Sequence, residues 1–403
     1  MGQFARMLPD VGWDVSVLTG RHEGGLDLVA LDPRTHIVAA WSPLAKLAPR
    51  GQSAPRHGAS ATAKKLLKRV ATTLVFPDRE VAWIPGAIAA GRKLLAGERH
   101  DVVFATHGPA SNLVVGRALA KMFDLPLVVD FRDLWSTLPM PIFPTSLHRK
   151  AAHALEGMAV RAATKIVAVA PRMASEIATT HGRDEADAIS ITNGFDPADH
   201  VRARDTRPTT ERPFRLVYTG SVNVHYNLDP FWRAIKALAD EGRITPDTLR
   251  IEFVGNLALS DVRAHGVADF VEARGYVPHD QVFAALGNAD ALFLIETRGY
   301  YAEYSYVAKL FDYLLTGKPV LALVEQGNTS KLLRDAGVGY CADPSDASGV
   351  RRAIETVLAL KGQPAASVDV DTEPLRSFNR RHLVTRLAGV LDDVVRLEPH
   401  GHW

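Results

Sequence analysis

The sequence predicts an α/β protein of two tandem domains, each built on a parallel sheet. Three observations carry this. The chain has 403 residues, more than one hydrophobic core usually serves. Short apolar runs alternate with amphipathic helix patterns along most of its length, the rhythm of βα units. Residues 196–213 break that rhythm with a polar stretch punctuated by Pro197, Pro208 and Pro213, which reads as an interdomain linker. The predicted domains are therefore 1–195 and 214–375, with a closing helix in 376–403.

Each element has its own signal. Gln3 to Leu8 reads as the end of an amphipathic helix, and Asp14 to Thr19 as a strand. An α/β domain normally opens with a strand and a Gly-rich turn into its first helix. Neither is present, so the N-terminal sheet is expected to lack its first strand, with the natural start upstream of Met1. Leu44 to Ser60 is rich in Pro, Gly, Ser and Arg and reads as an exposed loop. Helices are expected at Ala61 to Thr73 and Gly86 to Leu95. The runs Val102 to Thr106, Leu127 to Phe131, Lys165 to Val169 and Ile189 to Thr192 fit strands buried on both faces. Between them lie helices at Ser111 to Phe123, Ser146 to Ala163 and Pro171 to Thr180. Asn193-Gly194 reads as an αL turn with a structural role. A second strand series follows at Phe214 to Thr219, Arg250 to Val254, Val271 to Gly275, Ala291 to Ile295, Pro319 to Leu323 and Gly339 to Cys341. Asp229-Pro230 is a helix start, with Asp as N-cap. The last helix spans Arg380 to Leu397.

Composition excludes several classes. Net charge is only +2, too small to argue for nucleic acid. The stretch Lys64, Lys65, Lys68, Arg69 has two readings, a solvated helix face and a contact with an anionic membrane surface or acceptor. A single cysteine, Cys341, makes no intrachain disulfide and fits the reducing cytoplasm, where it reads as a small buried apolar residue. No apolar run approaches the ~18 residues that span a bilayer. The expected location is cytoplasmic, with a peripheral place at the inner membrane face as the second reading.

Tandem open sheets bind ligands at the carboxyl ends of their strands. If those ends face each other, a cleft forms that holds a donor on one wall and an acceptor on the other. Four segments supply chemistry there. In Tyr218-Thr219-Gly220-Ser221, Gly220 lets a ligand approach backbone amides that suit an anion. In Gly275-Tyr276-Val277-Pro278-His279, the backbone of Val277 can read a nucleobase edge. Lys309, Asp312 and Tyr313 sit at i, i+3 and i+4, on one helical face. Near the helix start, that face can offer an ammonium to phosphate and a carboxylate to ribose. Asp130, Arg132 and Asp133 follow an apolar strand, and His107 lies in the neighbouring strand-to-helix loop. Arg132 can stabilise phosphate charge as a leaving group departs, or join an Asp–Arg–Asp network that stiffens the turn. There is no metal-ligand spacing, no G-x-S-x-G and no G-x-G-x-x-G in a βαβ setting.

Together the RDLW turn, ITNGFD, YTGS, GYVPHDQVFAALGNADALFLI and AKLFDYLLTGKPVLAL resemble the family 4 retaining glycosyltransferases of the GT-B fold, bacterial members included. The resemblance implies two facing Rossmann-like domains with an interdomain cleft. It implies sugar transfer from a nucleotide-sugar donor to a glycan, lipid-linked or small-molecule acceptor, with retention and no metal or other cofactor. It places Lys309 and Asp312 toward the donor, Val277 near the base, Gly220 and Ser221 near the diphosphate, and Asp130, Arg132, Asp133 and His107 on the acceptor side. The chain departs from the family pattern at three points. Asp312 stands where Glu is usual. Tyr304 occupies the position of a second Glu, with Glu303 one residue away. The loop after YTGS holds no Arg or Lys, so Arg298 or Lys309 is expected to neutralise diphosphate. Two alternatives share this pattern: a catalytically degenerate nucleotide-sugar binding protein, and a GT-B sugar-nucleotide epimerase.

Overall fold

The structure is a computed structural model that describes residues 2–20, 31–42, 76–138, 143–196, 212–222, 226–296, 299, 301–366, 369, 371–373 and 375–397. The loop expected at 44–60, the helix at 61–73, the Lys64–Arg69 stretch, most of the linker and Arg298 lie outside those residues. The chain divides into two compact units, Met1–Ile191 with Val384–Trp403, and Thr192–Leu383. The closing segment from Val384 thus packs as part of the first unit.

The first unit runs α1 (Gly2–Met7), β1 (Ser16–Gly20), β2 (His36–Ala40), α2 (Ile84–Gly97), β3 (Val103–Thr106), α3 (Ser111–Phe123), β4 (Leu127–Phe131), α4 (Ser146–Ala162), β5 (Lys165–Ala168), α5 (Pro171–Thr180) and β6 (Ala188–Ser190). Strands β3-β4-β5-β6 form one parallel sheet in that order. All five residues of β4 are buried, as a strand covered on both faces requires. Strands β1 and β2 pair with each other as a separate two-stranded sheet. Strand β2 was not expected from sequence, because four of its five residues are not buried and it has no continuous core-facing run. Among the described residues no ladder joins the two sheets. A cavity of about 390 Å³ lies there, lined by Val17 and Leu18 on one side and by Val103, Phe104 and Ala105 on the other. The two sheets are thus separated by a seam.

The second unit runs β7 (Phe214–Thr219), α6 (Asp229–Asp240), β8 (Leu249–Val254), α7 (Leu259–Ala264), β9 (Val271–Gly275), α8 (His279–Asn288), β10 (Ala291–Ile295), α9 (Tyr301–Tyr304), α10 (Lys309–Thr316), β11 (Val320–Leu323), α11 (Asn328–Asp335), β12 (Gly339–Ala342) and α12 (Ala347–Leu358). Helix α13 (Arg380–Leu397) closes the chain. The six strands form one parallel sheet, in the order β12-β11-β10-β7-β8-β9. Alternate residues feed two cores. Tyr218, Phe253 and Phe293 pack with Phe231, Trp232 and Ile235 of α6. Val217, Leu292 and Leu294 pack on the opposite face with Leu310, Phe311 and Leu314 of α10. Among the described residues no helix is long and apolar enough to cross a membrane.

Two local expectations are corrected. Asp229 is the first helical residue of α6 rather than its cap, and its carboxylate instead meets Arg233 and His265, each at 2.8 Å. Gly194 is not among the glycines with positive φ. It is needed for close approach, since a Cβ there would lie 2.2 Å from the Phe378 carbonyl. Phe195, expected at the edge of the linker, is instead core, 1% exposed.

Helix α10 is fixed by a buried hydroxyl. Tyr313 Oη accepts from the Thr219 amide at 2.9 Å and donates to the Phe293 carbonyl at 3.2 Å. Lys318, just past the helix, donates to the carbonyls of Leu286 and Ala289 at 2.8 and 2.7 Å, and to that of Gly287. It thereby satisfies the free end of α8. Tyr313→Phe is expected to lower stability by about 1–3 kcal/mol, because a buried donor and acceptor lose their partner. Urea unfolding monitored for the second unit tests this, and a variant as stable as wild type would remove the role given to the hydroxyl.

Candidate functional site

Three loops meet at the carboxyl edge of the second unit's sheet. Gly220, after β7, has φ 114°, and Gly255, after β8, has φ 138°. A Cβ on Gly255 would stand 2.2 Å from the Gly220 carbonyl oxygen, so the backbones touch only because Gly255 lacks a side chain. Gly255 also bridges Gly275 after β9. Beyond it, Tyr276 Oη lies 2.9 Å from Ser221 Oγ.

Lys309, the first residue of α10, reaches into this edge. Its Nζ donates to Tyr218 Oη at 2.6 Å and stands 3.8 Å from the centroid of the same ring. A Cβ on Gly220 would be 3.0 Å from that nitrogen. Burial lowers the lysine's pKa to about 8, and burial raises that of Tyr218, so the phenol stays neutral beside the cation. A poorly solvated ammonium, a glycine backbone open to approach and the amino end of a helix together suit an anion.

The structure thus brings Gly220, Ser221 and Lys309 together. Val277 packs partly buried against the α10 side of the core. Asp312 lies one turn beyond Lys309 and is partly buried. Tyr313, read from spacing as part of the same presenting face, is fully buried. Glu303 sits on α9 with its side chain exposed, and its carbonyl accepts from Asn328 Nδ2 at 2.8 Å. Sequence reasoning missed Gly255, although a glycine directly after an apolar strand repeats the Gly220 signal. It also missed Tyr218 and Glu296, whose burial at the sheet edge is a tertiary fact.

In the first unit, Asp130 is fully buried. It accepts from Thr106 Oγ1 at 2.7 Å and from Arg132 Nε at 3.0 Å, with Arg132 Nη2 at 2.7 Å. Arg132 also donates to the Ile191 carbonyl and covers the Phe4 ring. Asp130 and Arg132 are therefore engaged with each other. Asp133 is exposed. The His107 ring stacks on Phe131 and tilts over Trp135, at 5.5 and 5.4 Å between centroids. Its Nδ1 is buried without a hydrogen-bond partner, and burial lowers its pKa, so the imidazole is neutral at pH 7. Among the described residues no three His, Cys, Asp or Glu side chains are gathered as metal ligands.

Behind the turn, Glu156 accepts from the Ser136 amide and hydroxyl at 3.1 and 2.7 Å, and lies 2.8 Å from His181 Nε2. Burial alone would raise its pKa, but the hydrogen bonds from His181 and Ser136 outweigh burial and hold the carboxyl below its usual range. Such a group stabilises above its unfolded pKa and loses that contribution as pH falls through its lower folded value. Glu156→Ala should cost about 3–5 kcal/mol at pH 7, and the gap to wild type should narrow below about pH 4. Urea midpoints at both pH values check this. A gap that stays constant or widens in acid would contradict it.

Two parallel-sheet Rossmann-like units, the second with a lysine and paired glycines at its strand ends, define the GT-B class. Residues 1–199 match the model described as Glycosyltransferase Family 4. No curated protein matches it in sequence. Similar solved structures include sucrose-phosphate synthase from Thermosynechococcus elongatus, with 13% identity, TM-score 0.67, and 98% of this chain and 92% of that one covered. A glycosyltransferase from Rickettsia africae shares 11% identity at TM-score 0.65, covering 98% and 93%. Anabaena HepE in complex with UDP-glucose shares 17% at TM-score 0.52, covering 76% and 82%. At these identities the likeness is one of fold.

Proposed function

We propose that the protein transfers a sugar from a nucleotide-sugar donor, bound on the second unit, to a glycan, lipid-linked or small-molecule acceptor, with retention and without a metal. The observation that carries this is Lys309 Nζ held against Gly220 at the edge of the sheet. A nucleotide sugar presents a diphosphate that such a group neutralises. The structurally similar Anabaena HepE was solved in complex with UDP-glucose, which supports that donor class. As the bond from sugar to phosphate breaks, negative charge grows on the departing diphosphate. Lys309 and the Ser221 amide stabilise that charge more in the transition state than in the ground state. Asp312 is the carboxylate assigned to ribose, and Val277 the backbone assigned to the base. The acceptor is assigned to the first unit, near Asp133 and His107.

A thermal-shift screen with UDP-, GDP- and dTDP-sugars should reveal the donor, since ligand at about 100 times Kd adds about 2.7 kcal/mol to stability. Acceptor-dependent release of nucleoside diphosphate from that donor then tests transfer, and binding without release in the presence of glycan and lipid extracts would overturn it. Lys309→Ala should cut the rate by about 10²–10³-fold. Donor affinity should hold steady at neutral pH and weaken as pH rises through about 8, where the free lysine loses its proton. Lys309→Arg should flatten that limb. Full activity and unchanged affinity in Lys309→Ala would remove the assignment.

A further inference from the structure

Glu296 follows β10 at the carboxyl edge of the second unit's sheet. Counting from the parallel pair Ala291↔Leu216 sets it level with Ser221, and its amide donates to the Leu323 carbonyl of β11 at 3.2 Å. The side chain is 5% exposed. One carboxyl oxygen, Oε1, accepts from Thr329 Oγ1 at 2.9 Å. The other, Oε2, is buried and has no hydrogen-bond partner among the described residues. An acidic oxygen left unanswered in an interior is costly and calls for a reason.

Its surroundings supply one. Thr329 Oγ1 also accepts from the Val307 amide at 3.5 Å, two residues before Lys309. Carboxyl, threonine and the approach to α10 thus form one hydrogen-bonded chain, which ties Glu296 to the segment that delivers the ammonium. The two groups ask for different chemistry. An ammonium takes phosphate. A carboxyl repels phosphate and suits a neutral hydroxyl. A nucleotide sugar carries both parts.

We propose that Glu296 recognises the donor's sugar ring, with Oε2 hydrogen-bonded to one of its hydroxyls. This rests on the reading of the second unit as the donor-binding half. Burial raises the carboxyl's pKa to about 7, against the opposing hydrogen bond from Thr329. Both protonation states are therefore present near neutrality, and either can bond a hydroxyl.

The test is calorimetry on the full chain with two probe pairs, UDP-glucose with UDP and GDP-mannose with GDP. The nucleoside diphosphates keep base, ribose and phosphates and lack only the sugar. Glu296→Gln should weaken the nucleotide sugar that wild type binds by roughly tenfold or more, and leave the matching nucleoside diphosphate within about twofold. Equal loss for both ligands, or no loss for either, overturns the role of Glu296. If Glu296→Gln fails to fold, Glu296→Asp carries the same comparison, since it keeps the acid but withdraws it by one methylene. Wild type that binds none of the four probes, nor dTDP-glucose or dTDP, overturns the donor reading itself, and that outcome appears without any substitution.

Discussion

Helix α10 serves the site because one buried hydroxyl holds its far end. Tyr313 reaches the Thr219 amide on β7 and the Phe293 carbonyl on β10, binding the helix to two neighbouring strands at once. The remaining geometry at this edge depends on that attachment. With the helix fixed, Lys309 at its first turn has a defined reach, and the stem of the lysine lies over Tyr218 rather than in water. The ammonium is then held beside backbone instead of sweeping through solvent, which limits the reorganisation needed when an anion arrives.

The partner of that cation is a backbone conformation rather than a side chain. Gly220 and Gly255 both take positive φ and touch, a contact that a Cβ on Gly255 would block. The edge therefore combines rigidity in α10 with closeness in the loops. It also separates chemistries over a few residues: an ammonium beside Gly220, and a half-satisfied acid at Glu296. In the first unit the pattern is the reverse. Asp130 and Arg132 answer each other, Glu156 is answered by Ser136 and His181, and the charged groups stabilise the turn that carries Asp133 and Trp135.

Much of the architecture was legible before any coordinates. Strands β4, β7 and β10 begin and end where the apolar runs do, because helices cover the sheets and burial leaves a continuous sequence mark. Helices α3, α5 and α13 were equally plain from their period. What escaped was set by tertiary contact. Strand β2 is mostly unburied and so carries no apolar run. Asp229 had the composition of a cap but found Arg233 and His265 instead. Gly194 looked like a turn residue, yet it is there for the Phe378 carbonyl. At the site, Lys309 and Gly220 were each marked as residues of interest, but their proximity across some ninety positions of sequence follows from how β7 and α10 stack. Glu296 left no mark at all, since an acid after an apolar run reads as the point where a strand meets water.

The seam between β1 and β3 has a mechanical meaning. A pocket of about 390 Å³ opens there, and among the described residues no ladder crosses it. The two sheets are therefore held side by side by packing rather than by backbone hydrogen bonds. Either can shift against the other without breaking a ladder, a freedom that a sheet continuous across its width does not have.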